Sequence, residues 1–180
     1  AGAASIGISV SDGVASPVTG TYNLTAVAPN QAPTLAGIPT TAQSATVGQP
    51  ATLADFTVAD ADSSNLRVTL TPANGTLGNV VDADAATAGI QLTGTAASIN
   101  AALANATFTP TVAGVASIGI NVSDGVASPV TGTYNLTAVS ANQAPTLAGI
   151  PTTAQSTIVG QAAALADFTV ADADSSNLRV

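Results

Sequence analysis

Apolar and polar residues alternate along several stretches of the chain. Leu66, Val68 and Leu70 alternate with Arg67 and Thr69, Ile118, Ile120 and Val122 with Gly119 and Asn121, and Tyr134, Leu136 and Ala138 with Asn135 and Thr137. A period of two puts one set on a single face of a β-strand. Strands are therefore predicted around 66–70 and over 115–123 and 131–139. Shorter apolar runs predict strands at 80–81, 90–92 and 106–111. Residues 51–59 offer Leu53, Phe56 and Val58 to a core, although the alternation slips by one at Asp55. Asn74-Gly75 and Asp124-Gly125 are turn signals of the kind that favours positive φ, and the first predicts a hairpin. One segment breaks the pattern. Residues 96–105 are rich in alanine and space Ile99 and Leu103 by four, which predicts a single short helix with Thr95 as its N-cap. Seven or so short strands in about 110 residues predict an all-β fold, an Ig-like β-sandwich anchored by Phe56, Phe108 and Tyr134.

The pattern also recurs. Residues 1–68 align without a gap on residues 113–180, an offset of 112, and of the 68 pairs only those at 3, 9, 28, 29, 45, 46, 50 and 52 differ. A period of that length is too long for a solenoid and suits a whole domain. The segment NQAPTLAGIP stands at Asn30 and again at Asn142. Its prolines hold the backbone extended and oppose a helix or central strand, so it marks the boundary. The expected organisation is the last strands of one repeat at 1–29, a complete repeat at 30–141, and the first strands of a third at 142–180. With no initiating Met and no signal-like start, the 180 residues read as a window on a longer tandem array.

Composition narrows the function. The net charge is −8, but only 7 % of residues are charged, and the chain has no Glu, Lys, His, Cys, Met or Trp. Two arginines make no phosphate-binding cluster, so nucleic acid is not an expected partner. No run approaches the ~18 apolar residues of a membrane helix, so membrane insertion is not expected either. Without Cys there are no disulfides or thiolate metal sites. Without His, Cys, Lys or Glu the usual nucleophile–base pairs cannot be assembled, so an enzyme is not expected.

The aspartates are the remaining chemistry. Asp60 and Asp62 form a DAD motif, repeated as Asp172 and Asp174. Two carboxylates on one side of an extended chain repel unless something neutralises them. Arg67, five residues beyond Asp62 and the only cation of its repeat, is one neutraliser. A bound Ca2+, which prefers carboxylate and carbonyl oxygens, is another, and simple hydration is the third. For the second DAD, Asp82 and Asp84, no matching ligand is visible and a solvated loop is expected.

Four segments together span the 112-residue repeat: the NQAP linker at Asn30, FTVADADSSNLRVTL from Phe56, INAALANATFTP from Ile99, and the VSDG turn ending at Gly125. In this order they resemble the cadherin-like domains of giant tandem-repeat bacterial surface adhesins exported by type I secretion. The resemblance implies Ig-like sandwiches strung end to end, with Ca2+ in the linkers. Position by position it implies a ligand set of Asn30, Asp60, Asp62 and Asp124 at one end of a sandwich, with Asp172 and Asp174 as an incomplete copy. The linker here is neutral at Asn30 and Gln31, and Ser63 and Ser64 stand where acidic residues often follow, so weak binding is implied. The implied role is an extender rod in an extracellular adhesin or biofilm-matrix protein at the bacterial cell surface, with neighbouring identical repeats as partners. The competing expectation is an extracellular filament, assembled from copies of the chain by lateral or strand-donation contacts. No cluster of aromatic or polar pocket residues suggests a glycan-binding module.

Overall fold

A computed structural model describes residues 2–180, and these form an all-β protein with one short helix. In chain order the strands are β1 Gly2–Val10, β2 Val18–Ala26, β3 Thr34–Ala36, β4 Gln43–Thr46, β5 Ala51–Thr52, β6 Thr57–Ala59, β7 Leu66–Ala73, β8 Gly75–Gly78 and β9 Ile90–Gly94. The helix α1, Ala96–Leu103, follows, then β10 Thr107–Pro110, β11 Gly114–Ser123, β12 Val130–Val139, β13 Thr146–Ala148 and β14 Thr169–Ala171.

Strands β4-β12-β11-β7-β9 make a five-stranded sheet, antiparallel except for the parallel β4–β12 pair. Strands β5-β10-β8 make a second sheet of three, and β3 pairs with β6. The alternating runs fall as the period of two requires. Leu66, Val68 and Leu70 of β7, Ile118, Ile120 and Val122 of β11, and Tyr134, Leu136 and Ala138 of β12 are buried, while their polar neighbours point outward or lie half-buried. Phe108 from the smaller sheet, Phe56, Val58 and the helical Ile99 and Leu103 join the same core, and Phe56 and Tyr134 meet at a ring-centroid distance of 5.9 Å. Among the described residues, the buried hydrophobic side chains other than Pro33 lie between Ala45 and Ala138.

The helix starts where expected. Thr95 is the N-cap and its Oγ1 accepts from the Ser98 backbone N–H, satisfying one otherwise orphaned donor. It ends at Leu103, two residues short of the expected limit. Its Asn100 side chain runs against the free edge of β6, accepting from Val58 N at 2.9 Å and donating to Val58 O at 3.0 Å. The amide thus substitutes for a neighbouring strand.

Two expectations are corrected. Residues 80–81 lie in a loop, and the strand of that region is β8, whose backbone pairs with β10. Asn74-Gly75 does not close a hairpin, because β7 and β8 belong to different sheets. Asn74 takes a φ of 59° at a corner where the chain crosses between sheets, held by Nδ2 donating to Val115 O and by Thr111 N donating to Asn74 O. Residues 51–59 bury Leu53, Phe56 and Val58 as expected, and form two short strands with a break at 53–56, where the alternation slips. Gly37 packs against this break, with a φ of 82° and a Cβ position that would lie 3.1 Å from Asp55 O. The Asp124-Gly125 turn does join β11 to β12, with Gly125 at φ 82°.

The repeated sequence repeats its pairing. Gly2↔Ala26 to Val10↔Val18 in β1–β2 is the register of Gly114↔Ala138 to Val122↔Val130 in β11–β12, and Thr34↔Ala59 in β3–β6 recurs as Thr146↔Ala171 in β13–β14.

Candidate metal centre

Strand pairing gathers the aspartates. The chain enters β3 from Asn30 and leaves β6 into Asp60, and Thr34 pairs with Ala59, so linker and DAD turn share one end. Arg67 of β7 pairs with Ser123 of β11, which brings the Asp124 turn to the same end. Asn30 Nδ2 donates to Asp124 Oδ2 at 2.7 Å, and Gln31 N donates to the Asp62 carboxylate at 3.0 Å. Asp60 Oδ1 accepts from the backbone N–H groups of Asp62 and Ser63 at 3.0 and 2.8 Å. These two N–H groups hold the Asp60 carboxyl below its ordinary pKa, against the opposing effects of burial and of the Asp124 charge. The Asn30 amide, then the Val126 N–H, does the same for Asp124. All four residues that the resemblance implies as ligands therefore meet at one end of the central unit.

One oxygen there is unsatisfied. Asp60 Oδ2 is buried and accepts no hydrogen bond. A buried carboxylate oxygen without a donor is costly, and it fits a cation or an ordered water. No cluster of three or more acidic side chains poised for a metal occurs among the described residues. Any hard cation here would thus need the Asn30 amide and backbone oxygens or water beside the carboxylates.

Arg67 does not neutralise this end. Its Nη2 reaches Asp84 Oδ2 at 3.1 Å, the one ion pair among the described residues, with both side chains about half exposed. Asp84 Oδ2 also accepts from Thr87 Oγ1 at 2.6 Å, and this bond, ahead of Arg67, keeps its pKa below the ordinary value. Asp82 Oδ1 accepts from Asp84 N and Gln91 N. The second DAD is therefore a structured loop bound to β7 and β9, where a merely solvated one was expected. Beneath it Gln91 is fully buried, with Nε2 on Ala88 O and Oε1 unpartnered.

The partial copies separate local from tertiary structure. Asp12 Oδ1 accepts from Val14 and Ala15 N as Asp124 Oδ1 does from Val126 and Ala127 N, so this turn forms from its own residues. Asp172 Oδ1 accepts from Asp174 and Ser175 N, and Asp174 Oδ2 from Gln143 N at 2.7 Å. Asn142 Nδ2 bonds only Gln143 O, whereas Asn30 Nδ2 bonds both Gln31 O and Asp124 Oδ2. The Asn30–Asp124 bond is what the complete unit adds. Sequence reasoning missed Gln31, because its contribution is a backbone N–H that no side chain advertises, and of the three neutralisers it left open Arg67 pairs elsewhere. The Arg67–Asp84 contact carried no signal beyond opposite charge.

Comparison with protein-family models and with curated proteins gives no match.

Proposed function

We propose that residues 30–141 are one Ig-like β-sandwich of a tandem array, and that the array is the extender region of an extracellular adhesin or biofilm-matrix protein. The observation that carries this reading is the tie between linker and unit: Asn30 on Asp124 and Gln31 on Asp62 bind the proline segment to the end of the sheets. A linker held this way limits bending between consecutive units, which is what a spacer requires. Two sheets contributing to one core support the sandwich, and the repeated strand registers support the array. The extracellular location and the export route rest on the resemblance of the four segments.

In this reading Ca2+ is held by Asn30, Asp60, Asp62 and Asp124, with backbone oxygens or water completing its shell, at an end of the unit that Arg67 does not reach. The unpartnered Asp60 Oδ2 and the diversion of Arg67 to Asp84 support it. The test is the melting temperature of the chain in calcium and in chelator, for the parent and for Asp60→Asn. Calcium raises the parent's melting temperature and leaves the variant's unchanged. Equal melting of the parent in both buffers refutes the calcium assignment.

A further inference from the structure

The chain crosses residues 30–141 from one end to the other. It enters at Asn30, which the Asn30–Asp124 bond holds beside the β11–β12 turn. It leaves from the far end of β12, beyond Val139. Strand β4 lies parallel to that last strand, with Gln43↔Leu136 to Thr46↔Val139 in register. Tension carried through the neighbouring segments therefore draws β4 back toward Asn30 and β12 forward toward Asn142. The two pulls are opposed and run along the strands. The hydrogen bonds between β4 and β12 are then loaded side by side and have to give way together, because the bonds of a parallel pair are evenly spaced along it.

Other contacts cross the same seam. Val47 N donates to Val139 O at 2.9 Å, just past the last pair. Tyr134 of β12, buried in the core, donates its hydroxyl to Gln43 Oε1. Gln43 Nε2 donates to Thr52 O at 2.7 Å, which ties the start of β4 to the second sheet. The core face of β12 carries the even-numbered residues, and Gly132 leaves a gap there between Val130 and Tyr134. Leu35 and Ile38 fill it. A Cβ on Gly132 would lie 2.8 Å from Leu35 Cδ2 and 2.5 Å from Ile38 Cδ1. If β12 slid forward by two residues, Val130 would come to that place, where its Cβ has no room.

We infer that the seam of β4 and the Leu35–Ile38 seat against β12 is a mechanical clamp. A unit stretched between its two linkers yields only when β12 slips past this seam as a whole, at a force well above that needed to peel the same strands apart. The clamp is a property of residues 30–141. Its use in an array rests on the extender reading, but its test needs neither the array nor calcium, so either can fail without the other.

The experiment is single-molecule force spectroscopy of the full chain in chelator, with handles on engineered cysteines. The chain has no cysteine of its own, so each pair is unique. Ala28→Cys with Ala141→Cys stretches the unit along the seam. Gln49→Cys with Ala141→Cys pulls on the two strand ends that meet at the Val47–Val139 bond, so the same bonds open one at a time. All three positions are exposed, and the two chains are expected to melt alike. Forced unfolding follows the barrier on the path taken. Along the seam the unit is expected to open in one event, releasing about 380 Å of chain at full extension. The force is expected to be several-fold higher than in the peeling pull at the same loading rate. Ile38→Ala empties part of the seat over Gly132, and is expected to lower the seam force by a larger factor than the peeling force. Equal forces in the two directions overturn the inference. So does an Ile38→Ala chain that weakens equally in both, since lost stability alone would then explain it.

Discussion

Replacing Asn100 with alanine sets two effects of opposite sign against each other. On the helix alone the change is favourable, by up to about 0.7 kcal/mol, since alanine is the better helix former. In the folded unit the Asn100 amide makes both backbone bonds of Val58, at 2.9 and 3.0 Å, on the edge of β6 that β3 does not cover. Val58 is 1 % exposed, so water reaches its peptide groups poorly once the amide is gone. An unsatisfied buried donor or acceptor costs about 1–3 kcal/mol. Asn100 is itself only half-buried, so the lower end applies to each group, about 2 kcal/mol together. The net expectation is a loss of about 1.3 kcal/mol, which lowers the melting temperature by about 5–8 °C for a unit of this size. Thermal unfolding followed by circular dichroism measures the loss, and hydrogen exchange at the Val58 amide locates it. Asn105→Ala is the comparison, because Asn105 Nδ2 reaches only Ala101 O at the exposed helix end, and its loss is expected to be within about 0.5 kcal/mol. An Asn100→Ala chain as stable as the parent, or more stable, would refute the argument, since propensity alone would then have decided the outcome.

Two further predictions concern charge. The Asp60 and Asp124 carboxyls sit below their ordinary values in the folded chain. Each therefore contributes stability that is present above the unfolded value, near pH ~3.9, and is lost as pH falls through the folded value. Melting temperatures measured between about pH 6 and pH 2 are expected to fall over the acid part of the range, less steeply in Asp124→Asn. An identical acid profile in that variant would contradict the role given to the Asn30 amide. Arg67→Gln breaks a half-exposed ion pair and is expected to shift the melting temperature by no more than about 3 °C, leaving any calcium response intact. A calcium response that changes in this variant would return Arg67 to the Asp60–Asp62 site.

The parts of the fold legible from sequence are those whose signal is periodic. β7, β11 and β12 alternate strictly, and α1 carries Ile99 and Leu103 at helical spacing, so their buried faces follow from spacing alone. Strands β3, β4 and β8 are three or four residues long, too short for a period to show. They exist because longer strands and the core fix a partner beside them. Asn74 illustrates the same limit. Asparagine-glycine announces positive φ but does not say whether the next strand returns to the same sheet. At the candidate site the aspartates and Asn30 could be named from sequence because side chains carry their chemistry. The Gln31 N–H, the burial of Asp60 Oδ2 and the pairing of Arg67 with Asp84 arise only from the packed arrangement.

The measurement closest to the central claim is calorimetric melting of the 180-residue chain at about 10 mM calcium and in chelator, for the parent and Asp60→Asn. For a site with Kd near ~1 mM, as in extracellular modules, the account predicts that calcium raises the parent's melting temperature by about 5–10 °C and leaves that of Asp60→Asn where chelator has it. Equal melting of the parent in the two buffers, or an undiminished calcium effect in Asp60→Asn, would contradict it.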